Sequence, residues 1–332
     1  MPQTCASICN VKELSKDPAV RREVIGEEAA SQRVDNYLVR RCKGVPKSHL
    51  YRILRSGEVR VNGRRVGPDY RLQDGDEVRI PPLRLAQRLA EPAPRATRQF
   101  EILYEDEGIV VLNKPSGVAV HGGSGISFGV IEQIRQQRPQ ARFLELVHRL
   151  DLETSGCLLI AKKRAVLTAL QEQFRGGVVG KKYFALVRGR WPDPVRHVKL
   201  SLHKYLTPEG ERRVSVSDTG KPSHSIVRLQ ARWQGFSLVE VELKTGRTHQ
   251  IRVHLSHLGF PLCGDDKYGD FALNKNLGVR GLKRMFLHAA RVGFDNPLNK
   301  EVVEISAPLP GDLHAFLRYL DRNEVRDYGA TV

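Results

Sequence analysis

Hydrophobic positions along the chain switch between helical and strand periods in a readable order. Val34, Tyr37, Leu38 and Cys42 recur at helical spacing and Gly44 offers a stop. Pro46 then opens a second helix carrying Leu50, Ile53 and Leu54, which Gly57 ends. Val59-Arg60-Val61 and Arg64-Arg65-Val66 alternate about Asn62-Gly63, which predicts a hairpin, and Glu77 to Ile80 adds a strand after Asp74-Gly75. Residues 1–30 show no sustained period and are expected to form an irregular extension.

Leu83 to Arg98 holds Pro92, Pro94, alanines and arginines with little pattern, the composition of a linker. Beyond it, Phe100 to Leu103 and Ile109 to Leu112 read as strands, and Asn113 to Gly117 and His121-Gly122-Gly123 as turns. Phe128 to Gln136 and Arg164 to Arg175 read as helices, the second with Leu167, Leu170 and Phe174 on one face. Cys157 to Ala161 and Tyr183 to Val187 are predicted strands. Val198 to Tyr205 pairs with Arg213 to Val216 across Pro208-Glu209-Gly210, and Ile226 to Leu229 with Leu238 to Leu243 across Gln234-Gly235. Gly246 to Leu255 is a glycine turn running into a helix with one apolar and one cationic face. Successive hairpins imply an α/β (α+β) fold with a largely antiparallel, mixed sheet over residues 99–325. A small helix-helix-hairpin domain occupies residues 31–82, with a linker at 83–98.

Composition narrows the partners. Fifty-four Lys and Arg against 37 Asp and Glu leave the 332-residue chain at +17, which favours a polyanion, nucleic acid above all. Residues 33–82 alone carry 12 Lys/Arg against 6 Asp/Glu. No apolar run approaches the roughly 20 residues of a membrane span, and the first 20 residues lack a signal peptide's pattern, so a cytoplasmic protein is expected. Five cysteines without a Cys-x-x-Cys pair fit a reducing compartment. The histidines at 249, 254 and 257 have no common zinc spacing, so no metal is expected. No Gly-rich phosphate loop or dinucleotide fingerprint occurs.

The densest chemistry lies in His148-Arg149-Leu150-Asp151-Leu152-Glu153-Thr154-Ser155-Gly156, directly before the apolar strand from Cys157. A Ser-Gly turn at the mouth of a core strand is a place where a scaffold can hold a reactive group, and Asp151 is the candidate. This nonapeptide closely resembles the active-site motif of the pseudouridine synthases that modify ribosomal and transfer RNA. The resemblance covers about residues 31–320 and implies that Asp151 is catalytic. It extends to Lys181-Lys182-Tyr183, to Gln250-Ile251-Arg252-Val253-His254 and to Arg284-Met285-Phe286-Leu287-His288-Ala289. Residues 33–80 likewise resemble the small RNA-binding domain named after the fourth protein of the small ribosomal subunit, through Pro46-Lys47-Ser48, Arg55-Ser56-Gly57 and Val59 to Gly63.

The resemblance implies a reaction and a set of roles. Pseudouridine formation breaks the bond between uracil N1 and the ribose, turns the base and rejoins it through C5, without cofactor. A carboxylate can capture positive charge at the ribose carbon or add to the base, and both routes stay open. A carboxylate taken out of water needs a cation beside it, and the resemblance makes Arg252 the expected partner, with a surface phosphate contact as its alternative. By the same resemblance Tyr183 is expected to pack on the target base and Leu287 to close the pocket beneath it. Arg149, His148, Thr154 and Arg247 are expected substrate contacts, Arg149 by filling the gap left by a flipped uridine. Lys114 to Gly117 and His121 match a motif that braces the pocket. Lys47, Arg52, Arg55, Arg60, Arg64 and Arg65 are the expected RNA contacts of the small domain. Phe294-Asp295-Asn296-Pro297 departs from the family, which has His before Pro. The expected partner is large-subunit ribosomal RNA or a pre-ribosomal particle, acted on by a monomer; a sister synthase with other ribosomal or transfer RNA targets, or a non-catalytic assembly protein, are the alternatives.

Overall fold

A computed structural model of the chain describes residues 14–16, 20–42, 45–86, 98–122, 128–208 and 210–327. It divides into two compact units, Met1–Ala96 and Thr97–Val332.

The first unit contains β1 (Leu14–Lys16), β2 (Arg21–Val24), α1 (Val34–Arg41), α2 (Lys47–Ser56), β3 (Arg60–Val61), β4 (Arg64–Arg65), β5 (Glu77–Ile80) and β6 (Arg84–Ala86). Helix α2 starts after Pro46 and stops at Gly57, whose φ of 77° lets its N–H turn back to Ile53 and Leu54 carbonyls. Leu50, Ile53 and Leu54 of α2 pack on Val34 and Leu38 of α1. Asn62 and Gly63 both have positive φ, 49° and 74°, as a two-residue turn joining β3 to β4 requires. Gly44, the predicted stop of α1, lies outside the described residues.

Two expectations for this unit need correction. Arg21–Val24, assigned to an irregular extension, is a strand in a four-stranded sheet ordered β2-β5-β3-β4. Its sequence is mostly charged because backbone bonds to β5 hold it, and the Glu23 carboxylate accepts from Tyr37 Oη and Arg41 Nε at 2.6 Å each. Arg84–Ala86, assigned to a linker, pairs antiparallel with Leu14–Lys16. Both strands are too short for an apolar alternation to show in sequence.

The second unit contains β7 (Glu101–Glu105), β8 (Ile109–Lys114), α3 (Val130–Gln137), β9 (Glu145–Leu146), β10 (Ser155–Ala161), α4 (Arg164–Gly176), β11 (Gly180–Arg188), β12 (Val195–Leu206), β13 (Arg212–Val216), β14 (Lys221–Trp233), β15 (Phe236–Leu243), α5 (Gln250–His257), α6 (Phe271–Val279), β16 (Leu287–Asp295), β17 (Val302–Ser306), α7 (Gly311–Asn323) and β18 (Arg326–Asp327). The described strands form one 12-stranded sheet with the path β13-β12-β14-β15-β11-β16-β10-β8-β7. It is antiparallel apart from the β10–β16 pairing.

Strands β8 and β10 are continuous apolar runs because both faces are covered. Ile109, Val111, Cys157 and Leu159 face Val166, Leu167 and Leu170 of α4. Val110, Leu112, Leu158 and Ile160 face Val130, Ile131 and Ile134 of α3. Each such fully buried side chain contributes about 1.5–3 kcal/mol. Farther along the sheet, α5 packs Ile251 and Leu255 on Val187, Val239 and Val241. The sheet therefore carries helices on both faces, and the loops at its centre are anchored at both ends. No helix among the described residues is long and apolar enough to cross a membrane.

Candidate active site

The loop from His148 to Thr154 enters β10 at its parallel pairing with β16. There Ser155 and Gly156 lie opposite His288 and Ala289 of β16. Gly156 has φ 109°, and a β-carbon on it would sit 2.2 Å from the Ala289 carbonyl oxygen, so this approach of backbone to backbone demands glycine. Thr154, 1% exposed, donates its N–H to the Asp151 carbonyl at 3.2 Å and closes a tight turn around the acid.

Four side chains pin that turn. The Lys114 ammonium, fully buried at the end of β8, donates to the carbonyls of Pro115, Val118 and Leu152 at 2.9, 2.8 and 3.0 Å. Burial pulls its pKa down to about 7, against the pull of the Glu153 charge. Ser116 Oγ donates to the Glu153 carbonyl at 2.8 Å. Arg284 Nη2 donates to Ser155 Oγ at 2.8 Å and the Glu153 carbonyl at 3.2 Å. His148 Nε2 accepts the Leu159 N–H at 3.1 Å while its ring stacks on Phe174 of α4 at 4.9 Å. Burial takes that imidazole down to about 4, so it stays neutral at neutral pH. His148 therefore anchors the loop on the α4 face, and its acceptor nitrogen is already spent on the backbone.

The Asp151 carboxylate projects from this turn with 19% of its side chain exposed. Arg252 Nη1 of α5 lies 3.5 Å from Oδ2, and His249 Nε2 lies 3.9 Å from Oδ1. Arg252 is held from behind by Asp265, a residue that the sequence reasoning missed. Nε and Nη2 form a fork onto its two oxygens at 2.7 and 2.6 Å. Nη2 also reaches Asp266 at 3.3 Å, and the guanidinium lies over the Tyr268 ring at 5.1 Å. Burial works against the Asp265 charge, but Arg252 and the N–H groups of Lys267 and Tyr268 hold its pKa below the usual range. Burial likewise works against the Arg252 charge, and the Asp265 bonds and the charges of Asp265, Asp151 and Asp266 outweigh it.

Two residues of the cationic face predicted for helix α5 are buried. Arg252 and His254 are 4% and 1% exposed. His254 bonds to Ser223 Oγ at 2.7 Å, and Arg252 is consumed by the carboxylates of the 265–266 loop. The helix is buried on both sides because partners 13 or more residues away in sequence neutralise its polar face.

Tyr183 comes from β11. The β11–β16 register shifts between Lys182 and Phe184, so Tyr183 sits on a bulge, a device that re-aims a side chain next to a site. It packs between the clusters containing Leu287 and Leu150. Burial first, and the Asp151 charge second, raise its phenol pKa, leaving a protonated hydroxyl at neutral pH. Leu287, 4% exposed, begins β16 beside Ala185.

Around this centre, Arg149 is exposed and has no charged partner among the described residues. Arg247 is exposed on the loop before α5 and donates Nε to the Pro222 carbonyl at 3.2 Å. In the first unit Lys47, Arg52 and Arg55 are exposed on α2, and Arg60, Arg64 and Arg65 on the β3–β4 hairpin. Asn296, at the departure from the family pattern, is 2% exposed and donates to Asp106 Oδ2 at 2.7 Å, a bond that ties down the β7–β8 turn. No group of three or more His, Cys, Asp or Glu side chains that could hold a metal ion occurs among the described residues.

The chain is similar to known proteins over most of its length. Residues 108–257 match the family model described as RNA pseudouridylate synthase, and residues 32–78 match that of the S4 domain. The chain is 50% identical over 307 residues to a Haemophilus influenzae protein named ribosomal large subunit pseudouridine synthase C, covering 91% of this chain and 95% of the relative. It is 50% identical over 313 residues to the protein of that name from Escherichia coli K12, covering 92% and 98%. Among solved structures, human RNA pseudouridylate synthase domain containing 1 is similar with a TM-score of 0.57 and 26% identity, over 73% of this chain and 94% of that one.

Proposed function

The chain belongs to the RNA pseudouridylate synthase family, and from that premise we propose that it isomerises specific uridines of large-subunit ribosomal RNA, with Asp151 as the catalytic group. One observation carries the assignment of Asp151. It is a partly exposed carboxylate with Arg252 Nη1 beside one oxygen, on a loop that Lys114, Ser116 and Arg284 hold in place by their hydrogen bonds.

The chemistry follows from the surroundings. A target uridine must leave its stack, and the exposed Arg149, two residues before Asp151, can fill the gap with its planar guanidinium. The base then meets Tyr183 and Leu287, whose apolar surroundings exclude water. Asp151 either captures the ribose carbon as the N1 bond breaks or adds to the base. Arg252 holds the carboxylate in place without leaving Asp265, because its fork is committed there and only Nη1 faces the acid. Tyr183, as a protonated phenol, can donate or relay a proton at the base. When C5 joins the ribose its hydrogen must leave, and C5 tritium release therefore reports the reaction.

The basic face of the small unit supports RNA as partner. Six exposed Lys and Arg on α2 and the β3–β4 hairpin suit backbone phosphates of structured RNA. A cytoplasmic site of action and a monomeric state accompany this proposal. Mapping pseudouridines in ribosomal RNA from cells with and without the gene tests the substrate. Loss of modifications confined to the large-subunit RNA is the expected result, and loss only in transfer RNA or small-subunit RNA would contradict it.

A further inference from the structure

We propose that His249 is a positioning residue for this reaction, donating its Nε2–H toward Oδ1 of Asp151 in a tautomer set by Tyr268 and the backbone of the β12–β13 hairpin. The inference rests on the role assigned to Asp151 above and adds a residue to it.

Tyr268 sets the state of the imidazole. Its hydroxyl oxygen accepts the Val214 N–H at 2.9 Å and lies 2.8 Å from His249 Nδ1. With the oxygen occupied by a backbone donor, the hydroxyl proton is free to go to Nδ1. A neutral imidazole that accepts at Nδ1 carries its proton on Nε2. That nitrogen is the one that faces Asp151, 3.9 Å from Oδ1. Arg252 takes the opposite oxygen, so the carboxylate has a donor on each side and its rotation is restricted. A gap of 3.9 Å is long for a hydrogen bond, and such bonds commonly tighten when substrate enters.

Backbone geometry supports the same reading. His249 precedes α5 with φ 54°, a left-handed conformation that a non-glycine residue adopts at a cost. Thr248 and Gln250 continue the chain through this point, and the left-handed residue turns the imidazole toward Asp151 and Tyr268. The charge environment favours the neutral ring. Burial lowers its proton affinity, and Arg252 and Lys267 lower it further, against Asp151 and Asp265. Lys267 is itself engaged with Glu211, and Arg213 Nη1 donates to the Lys267 carbonyl at 3.0 Å, so the hairpin docks on the loop that orients His249.

Three substitutions in the full chain separate this role from structural support. In His249→Asn the amide oxygen falls where Nδ1 was and still accepts from Tyr268, and Asn tolerates positive φ, but the side chain stops short of Asp151. In His249→Gln the amide nitrogen reaches the place of Nε2. Tyr268→Phe keeps the ring over Arg252 and removes the hydroxyl that sets the tautomer. Turnover is read as tritium release from C5-labelled RNA, and the tautomer by nitrogen-15 NMR of the histidine ring in the unsubstituted protein and in Tyr268→Phe. The expected results are a kcat about tenfold lower for His249→Asn at unchanged KM, as for one lost bond to a charged group, and substantial recovery in His249→Gln. The unsubstituted His249 is expected as the Nε2–H tautomer, with both tautomers present in Tyr268→Phe. A wild-type kcat in His249→Asn, no recovery in Gln, or an Nδ1–H tautomer in the unsubstituted protein would overturn the proposal; the last needs no variant to fold. Asp151→Asn, run alongside, keeps the two roles apart. If it is inactive while His249→Asn is unimpaired, only the His249 role fails; if it turns over, the role of Asp151 fails.

Discussion

Replacing Asp265 by Asn should damage the enzyme although Asp265 lies behind Arg252 and away from the exposed side of the site. Asp265 is fully buried and receives four bonds: Arg252 Nη2, Lys267 N and Tyr268 N on Oδ1 at 2.6, 2.8 and 3.0 Å, and Arg252 Nε on Oδ2 at 2.7 Å. An asparagine can keep its oxygen toward the backbone N–H groups only by turning its NH2 toward Arg252 Nε, a donor against a donor. The buried guanidinium then loses half of its fork and its main counter-charge. Removing one partner of a buried pair costs about 3–5 kcal/mol. For a domain of this size that corresponds to a fall in Tm of roughly 6–20 °C. Arg252 would also be free to swing from Asp151, so kcat should fall more than KM changes. Thermal unfolding and single-turnover tritium release on the same preparation test both parts. An Asp265→Asn protein with unchanged Tm and unchanged kcat would refute Asp265 as the residue that fixes Arg252.

Other outcomes follow from the same geometry. If Arg149 fills the space of a flipped uridine, Arg149→Lys and Arg149→Ala should lose turnover on structured RNA and regain much of it on RNA whose target is already unstacked, since unstacking costs about a few kcal/mol; equal defects on both substrates would exclude that role. His148, His254 and His288 are each held by burial at about 4. The unfolded chain takes up these protons near pH 6.5 and the native state only near 4, so their stabilisation is complete above pH 6.5 and is lost as pH falls from 6.5 to 4. Urea midpoints should therefore drop between about pH 7 and pH 5, and an unchanged midpoint contradicts the assignment. RNA affinity should fall steeply with salt, and Arg60→Ala, Arg64→Ala and Arg65→Ala should each weaken binding and reduce the salt slope by about one; an unaltered slope in all three would remove the hairpin from the RNA interface.

Local signals in the sequence were legible where the chain itself sets the geometry. Pro46 and Gly57 bound α2, and Asn62-Gly63 forms the predicted turn, because these residues restrict their own backbone. The apolar runs of β8 and β10 were legible because α3 and α4 cover both faces. In the site, Asp151, Tyr183 and Arg252 stood out only through resemblance to the family's motifs, since spacing alone would leave Tyr183 an ordinary strand aromatic, and the turn around Asp151 is braced by Lys114 and Ser116 of the first motif. Asp265 was not legible, since an acid in a polar loop gives no sign that it will meet an arginine 13 residues earlier in the chain. His249 was weighed only as a metal ligand, because neither its left-handed backbone nor its Tyr268 partner leaves a periodic trace. The cationic face of α5 was legible as a run of basic residues, but its burial was not, because charge in sequence does not reveal whether carboxylates elsewhere will cover it. Strand β2 escaped notice for the related reason that its stability comes from pairing with β5 rather than from apolar residues of its own.

The proposed mechanism stands or falls on the Asp151 carboxylate acting on the target nucleotide. Pseudouridine formation by Asp151→Asn, measured beside the unsubstituted protein on the same large-subunit RNA, reads that step itself. The substitution keeps the shape of the side chain, removes its charge, and leaves the bonds of Lys114, Ser116 and Arg284 to the surrounding loop in place. Both proteins are expected to bind the RNA tightly, and only the unsubstituted one to form pseudouridine. Pseudouridine formed by Asp151→Asn at a comparable rate would contradict the mechanism.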